Sequence, residues 1–146
     1  MTDTTYTPYH SLPGPLHTIV LAGTVPLFLG GLLSDIAYYN TYLIQWSNFA
    51  SWLIAAGMVF GGLALLFALV NLLRARQRSG RPVLYFLLLL ITWALGWVNS
   101  FEHAKDAWAV MPSGLVLSVV TALMSLISAW TGLTRSYSKP VSGGVQ

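Results

Sequence analysis

The residues best suited to chemistry lie together in one short stretch, Asn99-Ser100-Phe101-Glu102-His103-Ala104-Lys105-Asp106. On a continuous helix Asn99, Glu102, His103 and Asp106 fall three or four positions apart and share a face. Asp35, followed by Tyr38, Tyr39 and Tyr42, is the acid expected to reach the same depth from elsewhere in the chain. An imidazole with carboxylates is a donor set for a divalent metal, which makes His103, Asp106, Glu102 and Asp35 the candidate metal ligands. The same groups suit a proton relay or a surface for a protein partner, with Trp108 and Lys105 as candidate docking residues. A plainer reading competes. Charges and tyrosines are favoured at helix ends in a membrane interface, and Glu102 with Lys105 makes a simple i, i+3 pair.

His17 is the second candidate, as a haem, quinone or metal ligand, against the reading of a hydrated interfacial histidine. A b-type haem needs two imidazoles facing each other at one depth. His17 and His103 are expected at opposite membrane faces, and His10 would reach His17 only if the N-terminal segment folded back. The cofactor expectation is therefore none, with a divalent metal or b-type haem as the alternatives. Cysteine is absent, which removes disulfides, thiolate metal sites and cysteine nucleophiles. There is no phosphate-binding glycine loop, dinucleotide fingerprint, nucleophile elbow or metalloprotease helix, so the chain alone is not read as an enzyme.

The elements that position these residues follow from composition. Of 146 residues 55% are hydrophobic and 8% charged, where a soluble domain carries about 25% charged. Mean hydropathy is +0.67. A disordered chain, a nucleic-acid-binding domain and a disulfide-stapled domain are excluded. A membrane span needs about 20 apolar residues, and four runs qualify: roughly 16–39, 49–73, 83–101 and 113–133. The expected fold is an all-α membrane protein, an antiparallel four-helix transmembrane bundle over 15–135. A polar N-terminal tail (1–14) and a Ser/Gly-rich C-terminal tail (136–146) flank it. Pro15 suits a helix start, Pro26 should kink the first helix, and Ser113 is a candidate N-cap. Gly57 and Gly61, and the row Gly114, Ser118, Ala122, Ser125 and Ala129, mark close helix contacts within the chain or in a homodimer. No charged residue falls mid-span, which disfavours an ion-coupled transporter.

Arg74, Arg76, Arg78 and Arg81 follow the second span, and Arg135 and Lys139 follow the fourth. Six of the seven basic residues thus share one side, which the positive-inside rule makes cytoplasmic, along with both termini. Asp35, Glu102 and Asp106 gather on the opposite face. The expected location is the bacterial inner membrane. The expected partners are the lipid bilayer, a periplasmic or membrane subunit and a second copy of the chain, with no nucleic acid.

Several of these segments resemble a family of small bacterial four-span membrane proteins that open with a His-Pro-Leu-His-Pro type motif. Pro15-Leu16-His17 matches the core of that motif, with Gly14 and Thr18 where its first His and last Pro fall, and Asp35 stands where the helix-ending acid belongs. Gln45-Trp46-Ser47-Asn48-Phe49, Ser51-Trp52-Leu53-Ile54, His103-Ala104-Lys105-Asp106-Ala107-Trp108 and Met111-Pro112-Ser113-Gly114-Leu115 are similar to a proteobacterial branch. The resemblance runs from about Leu12 to Leu133. It implies a membrane subunit or anchor that accompanies a periplasmic dehydrogenase of the sorbosone type. A reporter fused to the C-terminus is expected to be active on the cytoplasmic side; activity of a periplasmic reporter there would reverse the orientation.

Overall fold

The computed structural model describes residues 14–74 and 80–134. The tails, His10, Arg76, Arg78, Arg135 and Lys139 lie outside the described residues. Five helices follow in order: α1 (Pro15–Thr41), α2 (Ile44–Arg74), α3 (Gly80–His103), a short α4 (Ala107–Val110) and α5 (Ser113–Thr134). The four long ones have the length and apolarity of membrane spans. Each is longer than its apolar run, because polar ends such as Asn40, Gln45 and His103 continue the helix. The single turn of α4 between the third and fourth spans is not marked by any run in the sequence.

Pro15 occupies the first turn of α1, where the missing amide hydrogen costs nothing. The helix continues through Pro26 as one element. It ends at Tyr42, whose φ of 52° is left-handed and whose amide donates to the Tyr38 carbonyl at 2.7 Å. That turn lets α2 begin after only two intervening residues, Tyr42 and Leu43, so the two helices run antiparallel.

The long helices form a ring in the order α1, α2, α3, α5. Thus α1 and α3 stand on one diagonal, and α2 and α5 on the other. Large apolar side chains such as Ile19, Leu33, Trp52, Val59 and Trp130 are turned outward and exposed, as lipid contact requires. The interior is apolar with one polar row. Two apolar clusters draw on all four long helices: Phe28, Ala50, Ile54, Met58 and Ala122 make one, and Val20, Leu21, Ala64, Ala68, Tyr85, Leu89 and Ala129 the other. On α5, Ser118, Thr121, Ser125 and Ser128 are buried among its alanines and glycines.

Both small-residue rows are consumed inside the chain. A Cβ on Gly57 would sit 3.0 Å from the Phe28 ring, and Gly61 faces Thr24 and Trp93. On α5, Gly114, Ser118, Ala122, Ser125 and Ala129 are all buried. These contacts replace side-chain bulk with backbone approach. Gly57→Leu should therefore destabilise the bundle by about 1–3 kcal/mol through overpacking against Phe28. Gly80→Ala, with nothing within 4 Å of the added carbon, should leave thermal unfolding in detergent unchanged.

Candidate functional site: a buried Asp–His pair across the bundle diagonal

Asp35, near the end of α1, is fully buried, and His103, the last residue of α3, is 8% exposed. Nε2 of His103 lies 2.8 Å from Oδ1 of Asp35. Nδ1 lies 2.9 Å from the Asn99 carbonyl one turn back, and a carbonyl only accepts, so Nδ1 carries a hydrogen and donates. One proton is then left for the line between Nε2 and Oδ1. It makes either an imidazolium–carboxylate or an imidazole–carboxylic acid pair, and each is neutral as a unit. A lone charge at this depth would cost several kcal/mol.

The second oxygen of Asp35 is also satisfied. Ser118 on α5 donates its hydroxyl to Oδ2. The Ser118 oxygen in turn accepts from the Asn99 side-chain amide at 2.9 Å. The bonds form a closed ring from Asn99 through Ser118, Asp35 and His103 back to the Asn99 backbone. It joins α1, α3 and α5. Gly114 lets α5 approach, since a Cβ there would lie 3.2 Å from the His103 ring and 2.5 Å from Val110. Among the described residues, Oδ1 of Asn99 and the hydroxyl of Thr121 in the same region have no hydrogen-bond partner.

This ring is not arranged for nucleophilic catalysis. A serine activated by histidine must bond to the imidazole. Here the serine bonds to the carboxylate, and both imidazole nitrogens are occupied.

Of the four candidate metal ligands, Asp35 and His103 meet, while Glu102 and Asp106 stand apart from them. Glu102 bonds to Lys105 at 2.8 Å and to the Ser113 hydroxyl at the exposed rim. Asp106 is exposed at the N-cap of α4. The helical spacing expected to unite them ends at His103, where α3 gives way to a turn. Among the described residues no three His, Asp or Glu side chains gather as a metal site. Trp108 is 75% exposed and stacks on Tyr42, with ring centroids 5.9 Å apart. Lys105 is exposed and engaged with Glu102. Tyr38 ties α4 down by donating to the Ala107 carbonyl at 3.0 Å.

His17 is buried at 4% exposure, which corrects the expectation of a hydrated interfacial histidine. Its Nε2 lies 2.9 Å from the Tyr85 hydroxyl, and Phe67 packs edge-on against the ring. A Cβ on Gly132 would lie 3.0 Å from the same hydroxyl. The cause is the register of α1 and α3. His17–Tyr85 and Asp35–His103 both join residues 68 positions apart. His17 and Asp35 are eighteen residues apart on α1, which is five turns and about 27 Å, close to the thickness of a bilayer's hydrocarbon core. One polar bridge therefore spans the diagonal at each end of the bundle. Asn99 shares the expected face with His103 in the sequence, but the parts of Ser118 and Tyr85 in these bridges are not legible there. The signal that would have found them is the repeat of 68 itself, which needs the pairing of α1 with α3.

Asp35→Leu or His103→Leu alone should destabilise the protein by about 3–5 kcal/mol, because each leaves a buried polar partner unmatched. The double replacement should cost clearly less than the sum of the two. Thermal unfolding in detergent reads this, and strict additivity would mean the two side chains are not coupled.

A family model described as a predicted membrane protein, DUF2231, matches residues 13–143. No curated protein and no solved structure matches the chain.

Proposed function

The chain belongs to the DUF2231 family of predicted membrane proteins, and from that premise we propose that it is a non-catalytic membrane subunit or anchor. In this reading it lies in a bacterial inner membrane with both termini cytoplasmic. It docks a periplasmic or membrane partner, such as a dehydrogenase, on the cap formed by α4 and the α1–α2 turn. One observation carries the reading. Asp35, His103, Glu102 and Lys105 are bonded within the chain, while Trp108 stands out on α4, stacked on Tyr42. A large aromatic held rigid by a neighbour and flanked by an exposed lysine is the kind of anchor that dominates protein interfaces. The ring beneath it would hold α1, α3 and α5 in one arrangement, so that the cap is presented with little ordering cost.

The test is affinity purification of the tagged chain from its own membranes in mild detergent. A dehydrogenase subunit at fixed stoichiometry is expected. Trp108→Ala should weaken its retention by about thirtyfold, the equivalent of a 2 kcal/mol anchor. Trp130→Ala, equally exposed but near the far end of α5, should leave retention unchanged. A chain that purifies alone, or two variants that behave alike, would overturn the proposal.

A further inference from the structure

The buried face of α5 carries a row of hydroxyls, of which Ser125 donates to the Ala122 carbonyl of its own helix at 2.7 Å. Ser118, Thr121, Ser125 and Ser128 are each no more than 2% exposed and recur three or four residues apart. The row starts at the Asp35 ring, where Ser118 donates to the carboxylate. It passes Ser128, whose oxygen lies 2.9 Å from the Thr92 hydroxyl of α3. It ends beside Gly132, where Leu21 and the Tyr85 ring, with the hydroxyl that contacts His17, occupy the space of the missing side chain. The two polar bridges at opposite ends of the bundle are therefore joined by one face of one helix.

Thr121 and Asn99 indicate what else occupies this face. Among the described residues, the Thr121 hydroxyl and Oδ1 of Asn99 are buried without a hydrogen-bond partner. A buried polar group left unbonded costs about 1–3 kcal/mol, so such groups are normally met by ordered water. Consecutive hydroxyls on α5 are separated by a rise of about 4.5–6 Å. Two hydrogen bonds through one water cover about 5.5 Å. Single waters between neighbouring side chains would thus connect Ser118, Thr121, Ser125 and Ser128, and the Tyr85 hydroxyl stands one turn on beside Gly132.

We propose that this face of α5 holds a file of water and conducts protons between the Asp35–His103 pair and the Tyr85–His17 pair. The inference goes beyond the anchoring role and does not rest on it. The path needs no charged residue at mid-depth, because hydroxyls and water pass a proton by accepting one and releasing another. A proton entering at one end is matched by one leaving at the other. Only O–H and N–H bonds are made and broken, and no electron moves. The proton shared by Nε2 and Oδ1 provides the terminal donor and acceptor at one end. Tyr85 and His17 provide them at the other.

The test uses the full chain reconstituted in phosphatidylethanolamine–phosphatidylglycerol vesicles that enclose a pH-sensitive dye. A potassium gradient with valinomycin supplies the driving potential. Wild-type vesicles should change internal pH faster than protein-free vesicles, at the same rate with or without sodium. Thr121→Val keeps the shape and removes the hydroxyl, and should lower the protein-dependent rate about tenfold, as expected for loss of one hydrogen-bonded link. Thr121→Ser should retain it. Unchanged thermal unfolding certifies the valine variant as folded; if it is not, Ser125→Ala is judged by the same criterion. A wild-type rate equal to that of protein-free vesicles would overturn the proposal, as would a hydroxyl-free variant that conducts like wild type.

Discussion

The hydrogen bond between Asp35 and His103 joins two helices that are not neighbours in the ring. Contacts between adjacent helices can be made by almost any small or apolar side chains. A contact across the diagonal must pass through the centre, where the only space is that left by other helices. Gly114 supplies it on α5, and Ser118 occupies it with a hydroxyl that the carboxylate requires. The polar demand of one buried acid thus dictates the residues opposite it on two other helices. In hydrocarbon that demand is strict, because lipid chains offer no hydrogen bond to an oxygen left over.

The bridge at the far end follows the same rule with weaker groups. A histidine and a tyrosine replace the histidine and the acid, and Gly132 replaces Gly114 as the position that makes room. Between the bridges, α2 contributes Ala50, Ile54 and Met58 to an apolar cluster with Phe28 of α1, and α5 contributes a row of hydroxyls. This asymmetry separates two tasks within one bundle. Tight packing against α2 resists rearrangement, while the α5 side keeps polar atoms along the length of the core.

The rim of the bundle shows why exposed charge and buried charge carry different information. Glu102 is one residue from His103 in sequence, yet it faces outward to Lys105 and Ser113. Adjacent residues on a helix point about 100° apart, so one can belong to the core and the next to the surface. Exposed ion pairs contribute little to stability, and their removal changes the surface rather than the fold.

Sequence by itself determined the class of protein, the four spans and the glycine positions where helices approach closely. Those depend on hydropathy, length and side-chain size, which are properties of each segment alone. It also placed Asp35 and His103 at one depth, because equal span lengths require it. Only the tertiary structure decided that they touch, that Glu102 and Asp106 do not join them, and that His17 is buried against Tyr85. Each of these depends on the rotation of one helix relative to another and on where α3 stops. A shift of one residue in that register turns a side chain by about 100°, and no local pattern of polarity specifies it. The acid and the imidazole are legible as residues; their pairing is a property of three helices at once.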